Sequence, residues 1–329
     1  MVNELGSYKA MMVTALGAPM TPAVVDRKEP GPHDVAVRVG ACGLNFGDLL
    51  VLEGKYQEKR DLPFVAGMEI AGTIEAVGAE VEGLQVGQRV ASYCGFGGLA
   101  EVAHVPASTC VPLPDSMDDA TGAAFLITYG TSHVALERRA QLQSGERLVV
   151  LGAAGGVGLT AVEIGKLMGA EVVAVARGAA KLEVAGAAGA DHLIDSEAGD
   201  LRDAIKALGG ADVVYDPVGG DQYRAAFRAC NPEARILPLG FASGDVPQVP
   251  ANILLVKNIS VLGYYWGGYA KFAPKVLTDS FAQLFAWFEE GRLKPHVSHK
   301  LPLSQANEGL ELLRSRASTG KVVITMDAP

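Results

Sequence analysis

Apolar positions between Lys9 and about Pro114 come in short runs, among them Val35 to Val39, Gly72 to Val77 and Arg89 to Ala91, cut by Gly, Pro and Asp. Runs of this length bounded by turn formers predict a small antiparallel, barrel-like β unit. The texture changes at about Gly145. From there to Gly263, strand-like runs at Leu148 to Leu151, Val172 to Ala176, Val213 to Tyr215, Ile236 to Leu239 and Ile259 to Leu262 alternate with helix-length segments. That alternation is the signature of βαβ units on a parallel, doubly wound sheet. Further on, Phe281, Leu284, Phe285 and Phe288 recur at helical spacing and predict an apolar stripe for core packing. The β-branched run Val322 to Thr325 closes the chain, and a strand placed there can rejoin the first unit's sheet. The first domain is therefore expected to be discontinuous, 1–128 with 269–329, around a doubly wound domain at 129–268. The pattern holds no internal repeat and no low-complexity segment.

Composition then removes several classes of function. The 329 residues carry 28 Lys plus Arg against 37 Asp plus Glu, a formal charge of −9, and 49% of them are hydrophobic. This is enough chain for two cores. An acidic surface without a Lys/Arg run repels phosphate backbones and anionic lipid, so neither nucleic acid nor a membrane surface is an expected partner. The longest uncharged stretch, Ala120 to Leu136, spans 17 residues and is interrupted by Gly, Thr, Ser, Tyr and His, so no membrane span is expected. The N-terminus shows no basic segment leading into an apolar core, which predicts no secretory signal and a cytosolic protein. Cys42, Cys94, Cys110 and Cys230 are too far apart for a metal clip or redox pair and are read as reduced thiols, Cys42 being a buried structural Cys or, beside Asn45 and Asp48, a catalytic one.

The sharpest chemical signal follows the strand Leu148 to Leu151. Gly152-Ala153-Ala154-Gly155-Gly156-Val157-Gly158 leads into an amphipathic helix through about Met168. A pyrophosphate needs backbone N–H groups at a helix N-terminus and no side chain in the way; Gly155 supplies that approach, and Gly158 lets helix meet strand. With 40 glycines in the chain the pattern alone is weak. The strand before it, the helix after it and the strand beyond supply the context. NAD enzymes place an acid roughly 20 residues on, at the end of the next strand. Val172 to Ala176 ends without one; Arg177 follows, and Lys181 comes four residues later. Two cations and no carboxylate suit a 2′-phosphate, so the expected cofactor is NADPH.

Taken together, the motifs resemble the zinc-free quinone oxidoreductase branch of the medium-chain dehydrogenase/reductase superfamily. The resemblance rests on Cys42-Gly43-Leu44-Asn45-Phe46-Gly47-Asp48, Pro63 to Glu69, Gly97 to Glu101, Ala153 to Gly158, Asp216-Pro217-Val218-Gly219-Gly220 and Ser318-Thr319-Gly320-Lys321. It implies an α/β fold, a Rossmann domain plus a GroES-like, mainly β catalytic domain, with the active site between them, and a homodimer paired through the edge of the nucleotide-binding sheet. In the zinc branch a Cys stands where this chain has Asn45, and a His where it has Met68. An amide and a thioether do not replace a thiolate and an imidazole, so no metal is expected. Nor do the six histidines form a ligand-spaced pair that survives the loss of those zinc residues.

The resemblance also implies the chemistry, hydride transfer from NADPH to a small quinone or other conjugated carbonyl. Donors aimed at the developing negative charge would take over the metal's role. Three residues are candidates, each with a plainer alternative. Asn45 orients cofactor or donates to substrate, or is a turn residue satisfying its own backbone. Tyr56 resembles the tyrosine proposed as proton donor in related enoyl reductases, or walls the pocket. Thr131 matches a family threonine near the cofactor, or is an ordinary helix hydroxyl. Asp48 is expected to brace the loop. For the cofactor, the expected contacts are Ala153, Gly155, Gly156, Val157, Gly158, Arg177, Lys181, Ser196, Gly240, Phe241, Ser243, Tyr264, Trp266 and Lys321. Tyr264 and Trp266 are equally readable as core or dimer interface. Two rival functions stay open: an enoyl thioester reductase, with Lys55, Lys59 and Arg60 as its basic patch, and an NADPH-binding protein without turnover.

Overall fold

The computed structural model describes residues 6–326; residues 1–5 and 327–329, which the expected spans 1–128 and 269–329 include, lie outside the described residues. Two compact units emerge, one formed by the chain up to Ile127 with the segment from Pro295 onward, the other by Thr128–Lys294. The return to the first unit therefore falls at Pro295, not at 269. The reason is the helix Pro274–Glu289, whose Leu277, Phe281 and Leu284 are buried within the second unit rather than leading out of it.

In the first unit β1 (Ser7–Val13), β2 (Thr21–Asp26), β3 (Asp34–Leu44), β4 (Phe64–Val65), β5 (Glu69–Val77), β6 (Arg89–Ser92), β7 (Val102–Pro106) and β8 (Cys110–Pro112) precede the second unit. The parallel strands of that second unit are β9 (Arg147–Leu151), β10 (Glu171–Ala176), β11 (His192–Asp195), β12 (Ala211–Asp216), β13 (Cys230–Pro238) and β14 (Ser260–Val261). The chain ends on β15 (Val297–Pro302) and β16 (Lys321–Thr325).

Strands β2-β1-β4 form a small sheet, and β15-β16-β3-β5-β6-β8 a larger one that β7 joins through β3. The long strand β3 is the spine. Its first half pairs with both β5 and β7, and its second half, Ala41 to Leu44, pairs with Thr325 to Val322 of β16. Burial on both faces explains its near-continuous apolar run, and its C-terminal end delivers Asn45 to a short helix, Phe46–Leu52.

The second sheet runs β11-β10-β9-β12-β13-β14 and is parallel throughout. Leu148 to Leu151 and Val172 to Val175 are fully buried, as a parallel sheet covered on both faces requires. After β9 the chain fills one side of the sheet, and with β12 it crosses to the other. The carboxyl end of β9 is thus the point where the strand order reverses, the usual ligand position in open α/β sheets. Among the described residues no helix is long and apolar enough to cross a membrane.

Candidate functional site

In the second unit, Gly152 turns out of β9 with φ of +61°, and Gly155 caps the helix Gly156–Leu167. Helix geometry leaves the first N–H groups, at Gly156, Val157 and Gly158, without intrahelical acceptors, so they point out of the helix end. Gly155 is exposed there, while Gly156 and Val157 are half-buried. A Cβ on Gly158 would strike the Gly152 carbonyl and lie 3.0 Å from Ala153 Cα, which makes glycine obligatory; one on Gly155 would meet only ordinary contact at 3.4 Å. The cradle therefore fits a pyrophosphate in both space and polarity. Ala153 is buried and donates its N–H to Val175 O at 3.0 Å, so its part is to tie the loop to β10.

Two buried braces hold the helix. Glu163 accepts from Tyr129 Oη at 2.5 Å and from the Lys294 N–H at 2.9 Å, and burial pushes its carboxyl above the ordinary range. Ser132 Oγ reaches Val157 O at 3.0 Å, Thr160 Oγ1 at 2.7 Å and Tyr215 Oη at 2.9 Å. Sequence reasoning missed this Ser132 network. Its only trace is a run of hydroxyls (Thr128, Thr131, Ser132) on a segment otherwise apolar.

At the end of β10, Arg177 is exposed and Lys181 sits half-buried in the first turns of the helix Ala179–Ala187. Ser196 is brought alongside by its N–H, which donates to Ala176 O at 2.9 Å. Two carboxylates that sequence reasoning did not place here come with it. Asp195, paired in register with Ala176, accepts the N–H groups of Glu197 and Gly178, and those bonds hold its carboxyl below the ordinary range. Glu197 lies 3.8 Å from Arg177 Nε.

The loops after β12 and β13 are knitted into one platform. Leu239 N–H donates to Asp216 O, Ala242 N–H to Pro217 O and Ser243 N–H to Val218 O, at 2.8, 3.1 and 2.9 Å. Beneath them Asp216 Oδ1 accepts the N–H groups of Val218 and Gly219, both at 2.8 Å, and burial pushes this carboxyl up to about 6. Gly240 lies against Pro217, and Val218 packs beside Gly152, so platform and phosphate loop adjoin. Phe241 is 40% exposed on this platform. The Ser243 hydroxyl turns inward to Asp245 of its own loop, accepting its N–H at 3.2 Å.

Tyr264 and Trp266, expected at the cofactor or in a core, are both engaged within the second unit. The Tyr264 hydroxyl donates to Thr131 O at 2.9 Å, and Trp266, only 8% exposed, packs on Gly130 and edge-on to Phe281. Trp266, Tyr269 and Phe281 are buried in this part of the second unit, because burying large rings outweighs leaving them at a rim, while Tyr265 and Phe272 stay exposed. Thr131 itself is half-buried in the helix Leu126–His133, which continues as a π-helical segment Val134–Arg139; Arg139 from that segment grips Gly263 O at 2.9 Å.

The first unit gathers a second set of candidates. Asn45 follows β3 in an extended conformation, and its backbone N–H donates to Asp48 Oδ2 at 2.8 Å. Asp48 is buried, and this pushes its carboxyl up to about 7. Glu69, wholly buried, accepts from the Ile127 N–H at 2.8 Å through Oε1. Its Oε2 receives Lys321 Nζ at 3.2 Å and Asn45 Nδ2 at 3.3 Å. Lys321, expected at the cofactor, instead donates inward to Leu44 O (2.9 Å), Asn45 Oδ1 (2.7 Å) and Glu69. An ammonium has three protons and all are committed, so none is left for a phosphate. The buried Glu69 carboxylate is the physical reason, since it needs a cation beside it.

Gly47 leaves room for Met68 Sδ and Tyr56 Cε2, which lie 3.0 and 3.3 Å from where its Cβ would stand. Tyr56 and Met68 therefore share one wall beside Asn45. Cys42 is fully buried, and burial raises its thiol well above the ordinary range, which leaves no thiolate for catalysis. Among the described residues no group of three or more His, Cys, Asp and Glu could hold a metal ion.

Against known proteins, residues 31–115 match the alcohol dehydrogenase GroES-like domain and residues 156–288 the family described as zinc-binding dehydrogenase. A quinone oxidoreductase-like protein 2 homolog of Nematostella vectensis is 40% identical, over 97% of this chain and 89% of its own length. The Escherichia coli quinone oxidoreductase, solved with NADPH, superposes with a TM-score of 0.89 at 27% identity, covering 97% of this chain and 100% of its own. A Thermus thermophilus quinone oxidoreductase, also solved with NADPH, gives 0.85 at 30% identity over 96% of this chain and 99% of its own. With its GroES-like and Rossmann-like parts in the same order, the chain belongs to the quinone oxidoreductase family of medium-chain dehydrogenases/reductases.

Proposed function

We propose that the chain is an NADPH-dependent reductase that passes hydride to a quinone or another conjugated carbonyl without a metal. The observation that carries the reading is the side-chain-free helix end at Gly155 to Gly158, followed at the next strand by Arg177 and Lys181. NADPH in the related Escherichia coli and Thermus thermophilus enzymes supports the same coenzyme here. When bound, NADPH supplies the hydride. The protein's residues supply position and environment.

Gly156, Val157 and Gly158 hold the pyrophosphate, and Arg177 and Lys181 the 2′-phosphate. The platform carrying Gly240 and Phe241 lies beside the phosphate loop and bounds the coenzyme's path. Tyr56 offers a weakly acidic hydroxyl against the soft, apolar face of Met68, a surface suited to a flat conjugated acceptor and to protonating the oxygen that gains charge. Asn45 and Met68 offer zinc neither a thiolate nor an imidazole, and Asn45 is already tied to Lys321, which supports metal-free chemistry. The four free cysteines fit a reducing compartment such as the cytosol. A second copy of the chain is the proposed partner: β14 is the end strand of its sheet, and Leu255 and Val256 on the neighbouring helix are 78% and 76% exposed.

The test is oxidation of NADPH with a panel of ortho- and para-quinones, enones and crotonyl thioester. Turnover with a quinone or enone is expected. A clear preference for the thioester would establish the enoyl reductase reading, which the exposed Lys55, Lys59 and Arg60 near Tyr56 favour. Tight NADPH binding with no turnover on any acceptor would leave a nucleotide-binding protein.

A further inference from the structure

We infer that the buried hydroxyls of Tyr215, Ser132 and Thr160 form one directed hydrogen-bond chain that ends on the Val157 carbonyl and strengthens the Gly158 N–H as a donor to the coenzyme's pyrophosphate, which makes Ser132 and Thr160 positioning residues for NADPH. The chain's consequence for binding rests on the proposed seat of the pyrophosphate at Gly156 to Gly158, and its direction on hydrogen-bond geometry.

Ser132 and Tyr215 are 0% exposed and Thr160 5%, so bulk water does not compete for these bonds. Tyr215 Oη meets Ser132 Oγ at 2.9 Å and gives its proton there, since a buried hydroxyl proton left unbonded is costly. Ser132 Oγ and Thr160 Oγ1 stand 2.7 Å apart, a separation that requires a proton between them. Two of the three hydroxyl protons are thus used within the chain, and the third leaves it for a carbonyl. Val157 O lies 3.0 Å from Ser132 Oγ and 3.1 Å from Thr160 Oγ1, within reach whichever hydroxyl holds that proton. Thr128 O at 3.1 Å and Gly156 O at 3.4 Å are within reach of Thr160 only.

The Val157 carbonyl and the Gly158 N–H belong to one peptide group. A hydroxyl bonded to that carbonyl draws electron density onto its oxygen and leaves the N–H more positive, the cooperative polarisation of linked hydrogen bonds. Gly158 carries the last of the three N–H groups that have no intrahelical acceptor. The three hydroxyls come from three elements of the second unit, the helix Leu126–His133, the helix Gly156–Leu167 and β12, so the chain also fixes the helix end against the sheet.

Because either hydroxyl alone reaches Val157 O, Ser132→Ala and Thr160→Val should each change the NADPH Kd by less than about twofold. Combined in one protein they should raise it about fivefold or more, beyond the product of the single effects. Ser132→Ala with Thr160→Ser keeps one hydroxyl and should stay within about twofold of the wild type. Adenosine 2′-phosphate, which lacks the pyrophosphate, should bind the Ser132→Ala, Thr160→Val protein and the wild type alike. In ¹⁵N-labelled protein without coenzyme, the Gly158 amide resonance should move upfield in that double variant. The Gly156 amide should not move, because its peptide carbonyl, Gly155 O, accepts the Leu159 N–H and no hydroxyl. Should the double variant not fold, adding Tyr215→Phe removes the hydroxyl it strands and carries the same expectations.

A double variant that binds NADPH as the wild type does would overturn the chain's role. So would an equal loss of adenosine 2′-phosphate, which would make the hydroxyls a prop of the whole unit, or a Gly158 amide that does not move. If the wild type binds NADPH no better than adenosine 2′-phosphate, the proposed seat of the pyrophosphate fails, while the Gly158 amide still decides whether the chain ends on Val157.

Discussion

Tyr264 donates its hydroxyl to the backbone carbonyl of Thr131 across 2.9 Å, tying the segment after the last strand of the parallel sheet to the helix that carries a candidate catalytic threonine. The phenol is half-buried and gives its only proton to this bond. Tyr264→Phe should therefore cost about 1 kcal/mol of stability, the net worth of a partly buried hydrogen bond. Its effect on NADPH affinity should stay within about twofold. Thermal denaturation and calorimetric titration read the two separately; a large loss of affinity with unchanged stability would return Tyr264 to the cofactor site.

The two glycines of the phosphate loop should fail in different ways. A Cβ at Gly158 meets backbone, so Gly158→Ala should lower the melting temperature and solubility. Gly155 has an ordinary φ of −81° and a Cβ there would meet only ordinary contact at 3.4 Å, so Gly155→Ala should melt like the wild type. Its methyl group stands in the phosphate approach, however, and should raise the NADPH Kd by about tenfold or more. Loss of affinity only alongside loss of folding would contradict the assignment.

Arg177→Ala should raise the Michaelis constant for NADPH much more than that for NADH. Glu197, 3.8 Å from the Arg177 guanidinium, adds a converse test. Glu197→Gln removes a carboxylate from the expected 2′-phosphate site and should tighten NADPH by about two- to fivefold, an effect that shrinks as salt is raised. Equal responses of NADPH and NADH to both variants would refute the specificity argument.

Much of this was legible in the chain. Short apolar runs cut by turn formers marked the first unit, long buried runs such as Val172 to Ala176 marked the parallel sheet, and glycine spacing at 152–158 located the helix end. All of these are local signals. The roles of Lys321 and Tyr264 were not legible, because their partners lie 252 and 133 residues away in sequence and only the folded chain reveals that their protons are already committed. The same holds for Glu197, which arrives beside Arg177 through a neighbouring strand. The Pro274–Glu289 helix carries the apolar stripe that its spacing predicts, but a stripe does not say which core it faces, so the unit it packs in is not readable from it.

Asp48 gives a pH test. Burial raises its carboxyl from an ordinary value near 3.8 to about 7, so between those values the folded protein keeps a proton that the unfolded chain releases. Stability is therefore lost as pH rises through that window, by at most about 1.4 kcal/mol per pH unit crossed. Asp48→Asn has no proton to release. Its melting temperature minus that of the wild type should grow from about pH 4 to pH 7 and then level off. Asp216, pushed up to about 6, acts in the same direction but is common to both proteins and cancels. A difference independent of pH would show Asp48 to be charged in the fold.

The most direct measurement is the rate at which the purified protein oxidises NADPH with a quinone, before and after exhaustive dialysis against a chelator of divalent metals. Undiminished turnover in the stripped protein is what a coenzyme-only mechanism requires. Turnover that vanishes with the chelator and returns with added zinc would contradict it.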